Sequence, residues 1–380
     1  MNYLIQELHT KSKWIILFII IHGFLIVETC SQTSRELFID SNQKLGNSSS
    51  FSVLLFDVDQ DSDLDALVQN WHPQTSQENT IWLNDGHGKF VLGKEVYSVG
   101  VPRMIEDIDL NQMPDLVANN KIWLNNGDNN YIAGPELPDT VVLDILFGDL
   151  NNDNLPDCIL NANHVLLNTG DRFIKQFELG GWLTDRPALI DVEKDNDLDI
   201  YVAHNHNPPP PPFNPVSDKL WINDGEGNFT LSDQEFVKDY STSVAIGDLN
   251  NDNYDDIFVT GGANTIRVYI NNKNGSFTEK PQKIGFYDSM KAALADFDDD
   301  GDLDVFIVNG KPMGPGQPNL VLLNDGQGTF IDSGLRLGND MSSSVALGDL
   351  DGDGDIDAFV SNVNLSAGGA YNRIYINTIR

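Results

Sequence analysis

Short apolar runs of four to seven residues recur along this chain, each bounded by acids, asparagines or glycines, and no segment shows a helical period. One unit appears seven times: an apolar strand, a nine-residue acidic loop, then a second apolar strand. The loops read DVDQDSDLD from Asp57, DIDLNQMPD from Asp107, DLNNDNLPD from Asp149 and DVEKDNDLD from Asp191. They continue with DLNNDNYDD from Asp248, DFDDDGDLD from Asp296 and DLDGDGDID from Asp349. Their first aspartates stand 50, 42, 42, 57, 48 and 53 residues apart, a spacing that suits a four-stranded propeller blade better than a helical repeat.

A second motif follows the loops: IWLNDGHGKF at 81–90, LWINDGEGNF at 220–229, VLLNDGQGTF at 321–330 and three weaker copies. Alternating apolar residues followed by Asn-Asp-Gly predict a hairpin, because such turns need residues that accept positive φ. Each repeat therefore reads as four strands with the acidic loop between the first and second. The seventh repeat ends at IYINTIR without a fourth strand. RELFIDSNQKLG near the N-terminus echoes GTFIDSGLRLG, and Phe38 precedes Asp57 by the same 19 residues as Phe330 precedes Asp349. The expected fold is all-β: a seven-bladed β-propeller of four-stranded blades over residues 32–380, closed by the N-terminal strand completing the last blade.

Composition narrows the function classes. With 57 acids against 23 bases the net charge is -34, so nucleic acid is not an expected partner. Lys11 and Lys13 precede an apolar run from Trp14 to Val27, the pattern of a secretory signal over residues 1–31. A signal anchor or a lipid on Cys30 is the alternative route to a membrane. Cys30 and Cys158 are the two cysteines, and Cys158 begins an apolar run as a small buried hydrophobe would. An exported chain without a disulfide framework needs another staple, and metal is the expected one.

The acids sit where a metal would need them. Loop positions 1, 3, 5 and 9 can turn inward, with a main-chain carbonyl at position 7. Acids fill those four side-chain positions 25 times in 28, and Asn111, Asn151 and Asn250 fill the rest. This assigns Asp57, Asp59, Asp61, Asp63 and Asp65 to the first loop, and Asp107, Asp109, Asn111, Met113 and Asp115 to the second. The third takes Asp149, Asn151, Asp153, Leu155 and Asp157, and the fourth Asp191, Glu193, Asp195, Asp197 and Asp199. The fifth takes Asp248, Asn250, Asp252, Tyr254 and Asp256, the sixth Asp296, Asp298, Asp300, Asp302 and Asp304. Asp349, Asp351, Asp353, Asp355 and Asp357 complete the seventh. Six to eight hard oxygens in a flexible shell suit Ca2+, up to seven ions with the Asp107 loop weakest. An EF-hand is excluded because its twelfth position falls in an apolar strand, and zinc would want His or Cys.

DxDxDGxxD loops between apolar strands, followed by LNDGxGxF, resemble the FG-GAP or VCBS repeats of integrin α-subunit propellers and their bacterial relatives. The resemblance spans the chain beyond the leader. It implies structural calcium and a propeller that recognises a ligand or partner.

The acidic loops and hairpin turns fall on one face, and longer, varied connections fall on the other. Varied loops on a repetitive scaffold are where binding is expected. Trp71, His72, His204, His206, Phe213 and Lys311 are the candidates there, with Arg186 and Lys291 at the mouth of a central channel. No nucleophile elbow, zinc-protease motif or P-loop is present. The expected function is a secreted, monomeric binding or adhesion module for an extracellular protein or glycan. A calcium-dependent polysaccharide lyase or related carbohydrate-active enzyme is the alternative.

Overall fold

The computed structural model describes residues 36–379 except 72–78, 94–103, 119, 128–130, 139–141, 143, 182–184, 206–215, 262–264, 283, 285–287, 311–313 and 365–369, together with 16–21 and 24–29. The chain divides into two compact units, Met1–Glu36 and Leu37–Arg380. In the first, Ile16–Ile21 pairs antiparallel with Phe24–Thr29.

The second unit is all-β, with no helix among the described residues. Five four-stranded antiparallel sheets follow one another along the chain, and in each the strands pair in sequence order. The sheet of Ser289–Ala295, Asp304–Asn309, Leu320–Asn324 and Phe330–Asp332 is representative. A larger sheet joins Ser342–Gly348, Asp357–Asn362 and Ala370–Asn377 to Leu45–Phe56, Asp65–Trp71, Thr80–Leu83 and Val91–Leu92. Phe38–Asp40 pairs with the Ala370–Asn377 strand, Phe38 opposite Asn377 and Asp40 opposite Tyr375. The N-terminal segment thus takes the fourth-strand place that its sequence echo predicts.

Packing explains the residue pattern. Second strands such as Asp304–Asn309 and Asp357–Asn362 are buried at every position, so they read as continuous apolar runs. Fourth strands bury one aromatic, as Phe330 does, and expose the next residue, as Ile331 does. Seven apolar clusters each join one repeat to the next. One joins Phe359 and Ile374 to Val53, Trp82 and Phe90, from the last repeat to the first. The cluster of Val58, Leu67, Ile81 and Leu116 between the first two repeats has the fewest buried members.

Side-chain amides tie the same neighbours. Asn84, Asn223, Asn271, Asn324 and Asn377 each donate Nδ2 to a carbonyl in the preceding repeat's acidic loop: Leu350, Leu150, Val192, Leu249 and Phe297, at 2.8–2.9 Å. Asn125 and Asn168 instead reach carbonyls of their own loops, Pro114 and Pro156. The second repeat therefore sits between the two junctions where this link is not seen among the described residues. Its loop also departs from the acidic pattern, with Asn111 at position 5 and Met113 at position 7.

Candidate metal centre

All seven acidic loops share one skeleton. The position-1 aspartate accepts the position-6 N–H on Oδ2 at 2.6–3.0 Å, which closes the loop into a ring. Positions 4 and 6 both have positive φ, from Gln60 at 65° and Ser62 at 78° to Gly352 at 79° and Gly354 at 92°. Most residues resist this conformation, and Asn and Gly tolerate it best. That accounts for Asn152, Asn154, Asn251 and Asn253 as directly as any metal does.

Position 9 is a clamp. Asp65, Asp115, Asp157, Asp199, Asp256, Asp304 and Asp357 are all buried. Each accepts the position-2 N–H on Oδ2 at 2.7–3.1 Å. Each also accepts, on Oδ1 at 2.7–2.8 Å, the N–H of the asparagine that ends the third strand. Burial outweighs these hydrogen bonds and pushes Asp65, Asp115, Asp157 and Asp256 up to about 6. Asp199, Asp304 and Asp357 rise to about 7.

A carboxyl whose folded pKa exceeds its unfolded value near 4 holds more protons when folded, so its contribution to stability falls as pH rises through the folded value. In chelator the protein will melt at a higher temperature at pH 5.5 than at pH 8. Saturating calcium, which favours the ionised acids, will flatten or reverse that trend. Melting curves across this range with and without calcium check it, and a chelated protein more stable at pH 8 would refute it.

Ligand oxygens converge most clearly in three loops. Carboxylate oxygens of Asp57, Asp59 and Asp61 lie within 4.8 Å of one another, as do those of Asp296, Asp298 and Asp300 and those of Asp349, Asp351 and Asp353. The central acid of each trio, Asp59, Asp298 or Asp351, is pushed up by burial and then by its like-charged neighbours. Asp298 Oδ1 is buried without a hydrogen-bond partner, and a divalent cation would satisfy it. The donor set is all hard oxygen, so these loops fit Ca2+.

The other loops depart from this. In the second, Asp107, Asp109 and Asp115 converge, while Asn111 turns its Nδ2 to the Asn125 carbonyl at 2.9 Å. In the fourth, Glu193 leans on the buried Asp199: burial pushes both carboxyls up, Glu193 pushes Asp199 up further, and the bond to Asp199 holds Glu193 partly back. Asn151 and Asn250 leave the third and fifth loops one acid short. Adjacent loops are also linked: Asn152 donates to Asp197 at 2.6 Å and Asn251 to Asp302 at 2.5 Å.

The remaining candidates fall outside the acidic loops. His204 is buried, its Nδ1 2.9 Å from Asp185 Oδ2 and its N–H donating to Asp218 Oδ1 at 2.7 Å. Tyr201 and Ser241 donate to Asp218 Oδ2 at 2.7 and 2.8 Å. The ring is thus committed to the interior and offers no surface for a ligand. His204 is the fifth residue after Asp199, where Asn70, Asn309 and Asn362 stand in other repeats. Lys291 donates to Ser344 Oγ at 3.2 Å and is held below the usual lysine range by burial and then by the Arg186 charge. Arg186 is exposed. Trp71 ends its strand, while its side chain and His72, His206, Phe213 and Lys311 lie outside the described residues.

A family model for an FG-GAP-like repeat matches this chain three times, at residues 191–259, 248–307 and 296–360. No curated protein matches the sequence. Among solved structures, a lectin from Agrocybe aegerita that specifically recognises non-reducing terminal N-acetylglucosamine aligns with a TM-score of 0.52 at 18% identity, over 83% of this chain and 86% of that one. BBS1N, solved in complex with ARL6DN, aligns with a TM-score of 0.58 at 11% identity, over 90% of this chain and 98% of that one. At such identities the likeness is one of fold.

Proposed function

The chain is an FG-GAP-like repeat protein, and from that premise we propose that it is a secreted, calcium-stapled, seven-bladed propeller that binds an extracellular protein or glycan without catalysing a reaction. Dividing the larger sheet where Asn372 meets Leu45 leaves seven four-stranded units, with an apolar cluster between each unit and the next. That is the basis for seven blades and a closed ring.

The observation that carries the calcium reading is the trio Asp296, Asp298 and Asp300 around a buried, unpartnered carboxylate oxygen. Bound calcium would neutralise the loops and stiffen one face. The other face, where connections differ from blade to blade, is then the ligand surface. A lectin shares the fold, so glycans are the first ligand class to screen.

The test is a glycan and extracellular-matrix array probed with and without calcium. Trp71→Ala and Phe213→Ala should weaken whichever ligand is found at least tenfold, with the melting temperature nearly unchanged. Asp300→Ala and Asp353→Ala should lower the melting temperature, and binding only as a consequence. A folded Asp300→Ala protein that loses the ligand while Trp71→Ala binds normally would place the ligand on the calcium face and overturn the assignment.

A further inference from the structure

The fifth loop differs from its neighbours at two positions that touch. In the first, fourth and sixth repeats the hairpin turn places a glycine, Gly86, Gly225 or Gly326, against the position-7 acid, Asp63, Asp197 or Asp302. A Cβ on any of these glycines would collide with that carboxylate. In the fifth repeat the acid is Tyr254 and the glycine is Lys273, which keeps the left-handed turn at φ 64°. The Lys273 ammonium lies 3.3 Å from Asp252 Oδ2 and 3.4 Å from the Asp252 carbonyl, and 5.0 Å from the centre of the Tyr254 ring.

A second lysine arrives from the fourth loop. In the third and fifth loops position 4 sends an asparagine amide to the next loop, but here Lys194 donates to the Asn253 carbonyl at 2.6 Å and lies 5.2 Å from the Tyr254 ring centre. Tyr254 thus carries an ammonium contact from each lysine.

We propose that the fifth loop takes no calcium because Lys273 and Lys194 already supply its cation. This rests on the reading that the fully acidic loops do bind calcium. The fifth loop has few charges left to offer. Asn250 and Tyr254 stand where the fully acidic loops carry aspartates, and Asp248 and Asp256 hold backbone N–H groups as their counterparts in every loop do. What sets this loop apart is Asp252, its position-5 acid, which already carries the Lys273 ammonium. A tethered group acts at an effective concentration of order millimolar. Extracellular calcium sites have a Kd of about 10⁻⁴–10⁻³ M, so the tethered ammonium competes on equal terms even with a full acid set. The exposed ion pair adds little stability. Its effect is on occupancy.

Terbium, a luminescent calcium surrogate, gives a local readout because the Tyr254 ring adjoins the loop. In the otherwise unchanged protein, Tyr254→Phe will leave bound-terbium luminescence unaltered. In a Lys194→Met, Lys273→Gly background, a Tyr254-dependent signal will appear, and native mass spectrometry will count one more bound calcium. A background with both lysines changed to Arg will stay excluded. A Tyr254-dependent signal in the unchanged protein overturns the proposal, and that comparison needs no lysine variant to fold. A folded Met/Gly variant that gains neither signal nor ion overturns it equally. If the unchanged protein binds no ion at all, the calcium reading of the other loops fails. A signal gained by the lysine variant would still support the proposal, and no signal in either would end both.

Discussion

Calcium at concentrations tenfold above its Kd will raise the melting temperature of the chelated protein by about 6 °C or more. Each site at that saturation adds about 1.4 kcal/mol, so the Asp57, Asp296 and Asp349 loops together add roughly 4 kcal/mol. Unfolding entropy of about 2.1 cal/mol/K per residue over the second unit converts this to about 6 °C. Relief of repulsion is already part of that binding energy, because the cation settles beside Asp59, Asp298 and Asp351, which burial and then their neighbours' charges push up. The measurement is a melting curve in chelator and in millimolar calcium, with magnesium as a control. Magnesium prefers to keep its waters and should shift the curve less. Equal melting temperatures in chelator and calcium would remove the staple from the account of this fold.

The acids at positions 1, 3 and 5 were legible from spacing alone, because only a shared cation or extreme crowding explains that filling. Position 9 was harder to read. An aspartate there can ligate calcium or clamp two backbone amides, and the structure puts all seven in clamping geometry. Both roles demand the same residue, so spacing cannot separate them.

Left-handed backbone at position 4 was visible only where Asn or Gly occupies it. Gln60, Leu110, Lys194 and Asp299 adopt the same φ with no local signal. The pairing of the N-terminal strand with the last repeat was legible because the echo of FIDS preserved the aromatic that the packing needs. His204 was misjudged as a surface group, although aligning repeats places it at the buried Asn position of Asn309 and Asn362. The Lys273–Tyr254 exchange was also readable from the repeats. Its meaning depended on seeing that turn and loop touch.

A chain beginning at Lys44 will aggregate or melt far below one beginning at Arg35. The missing segment places Phe38 edge-on against Phe297 and Phe306, with ring centres 5.2 and 5.6 Å apart. It also supplies Asp40, an acceptor for Arg373 at 2.9 Å, and Gln43. The Gln43 amide donates to the Gly88 carbonyl at 2.6 Å and accepts the Phe90 N–H at 2.9 Å. Gln282 makes the same pair of bonds to Gly328 and Phe330, so the N-terminal segment reproduces an ordinary link between repeats. Losing Phe38 alone should cost about 3–5 kcal/mol, the usual range for a buried phenylalanine cut to alanine. By the same conversion, Phe38→Ala will melt about 4–7 °C lower. The full truncation also strips the outer partner from Tyr375–Asn377 and leaves a bare strand edge over an apolar cluster. A synthetic peptide of residues 36–44 added to the shortened chain should restore part of the lost stability by pairing in trans. Size-exclusion profiles and melting curves for the two chains, with and without peptide, decide the matter. If the chain from Lys44 stays monomeric and melts with the longer one, the N-terminal strand does not hold the last repeat to the first.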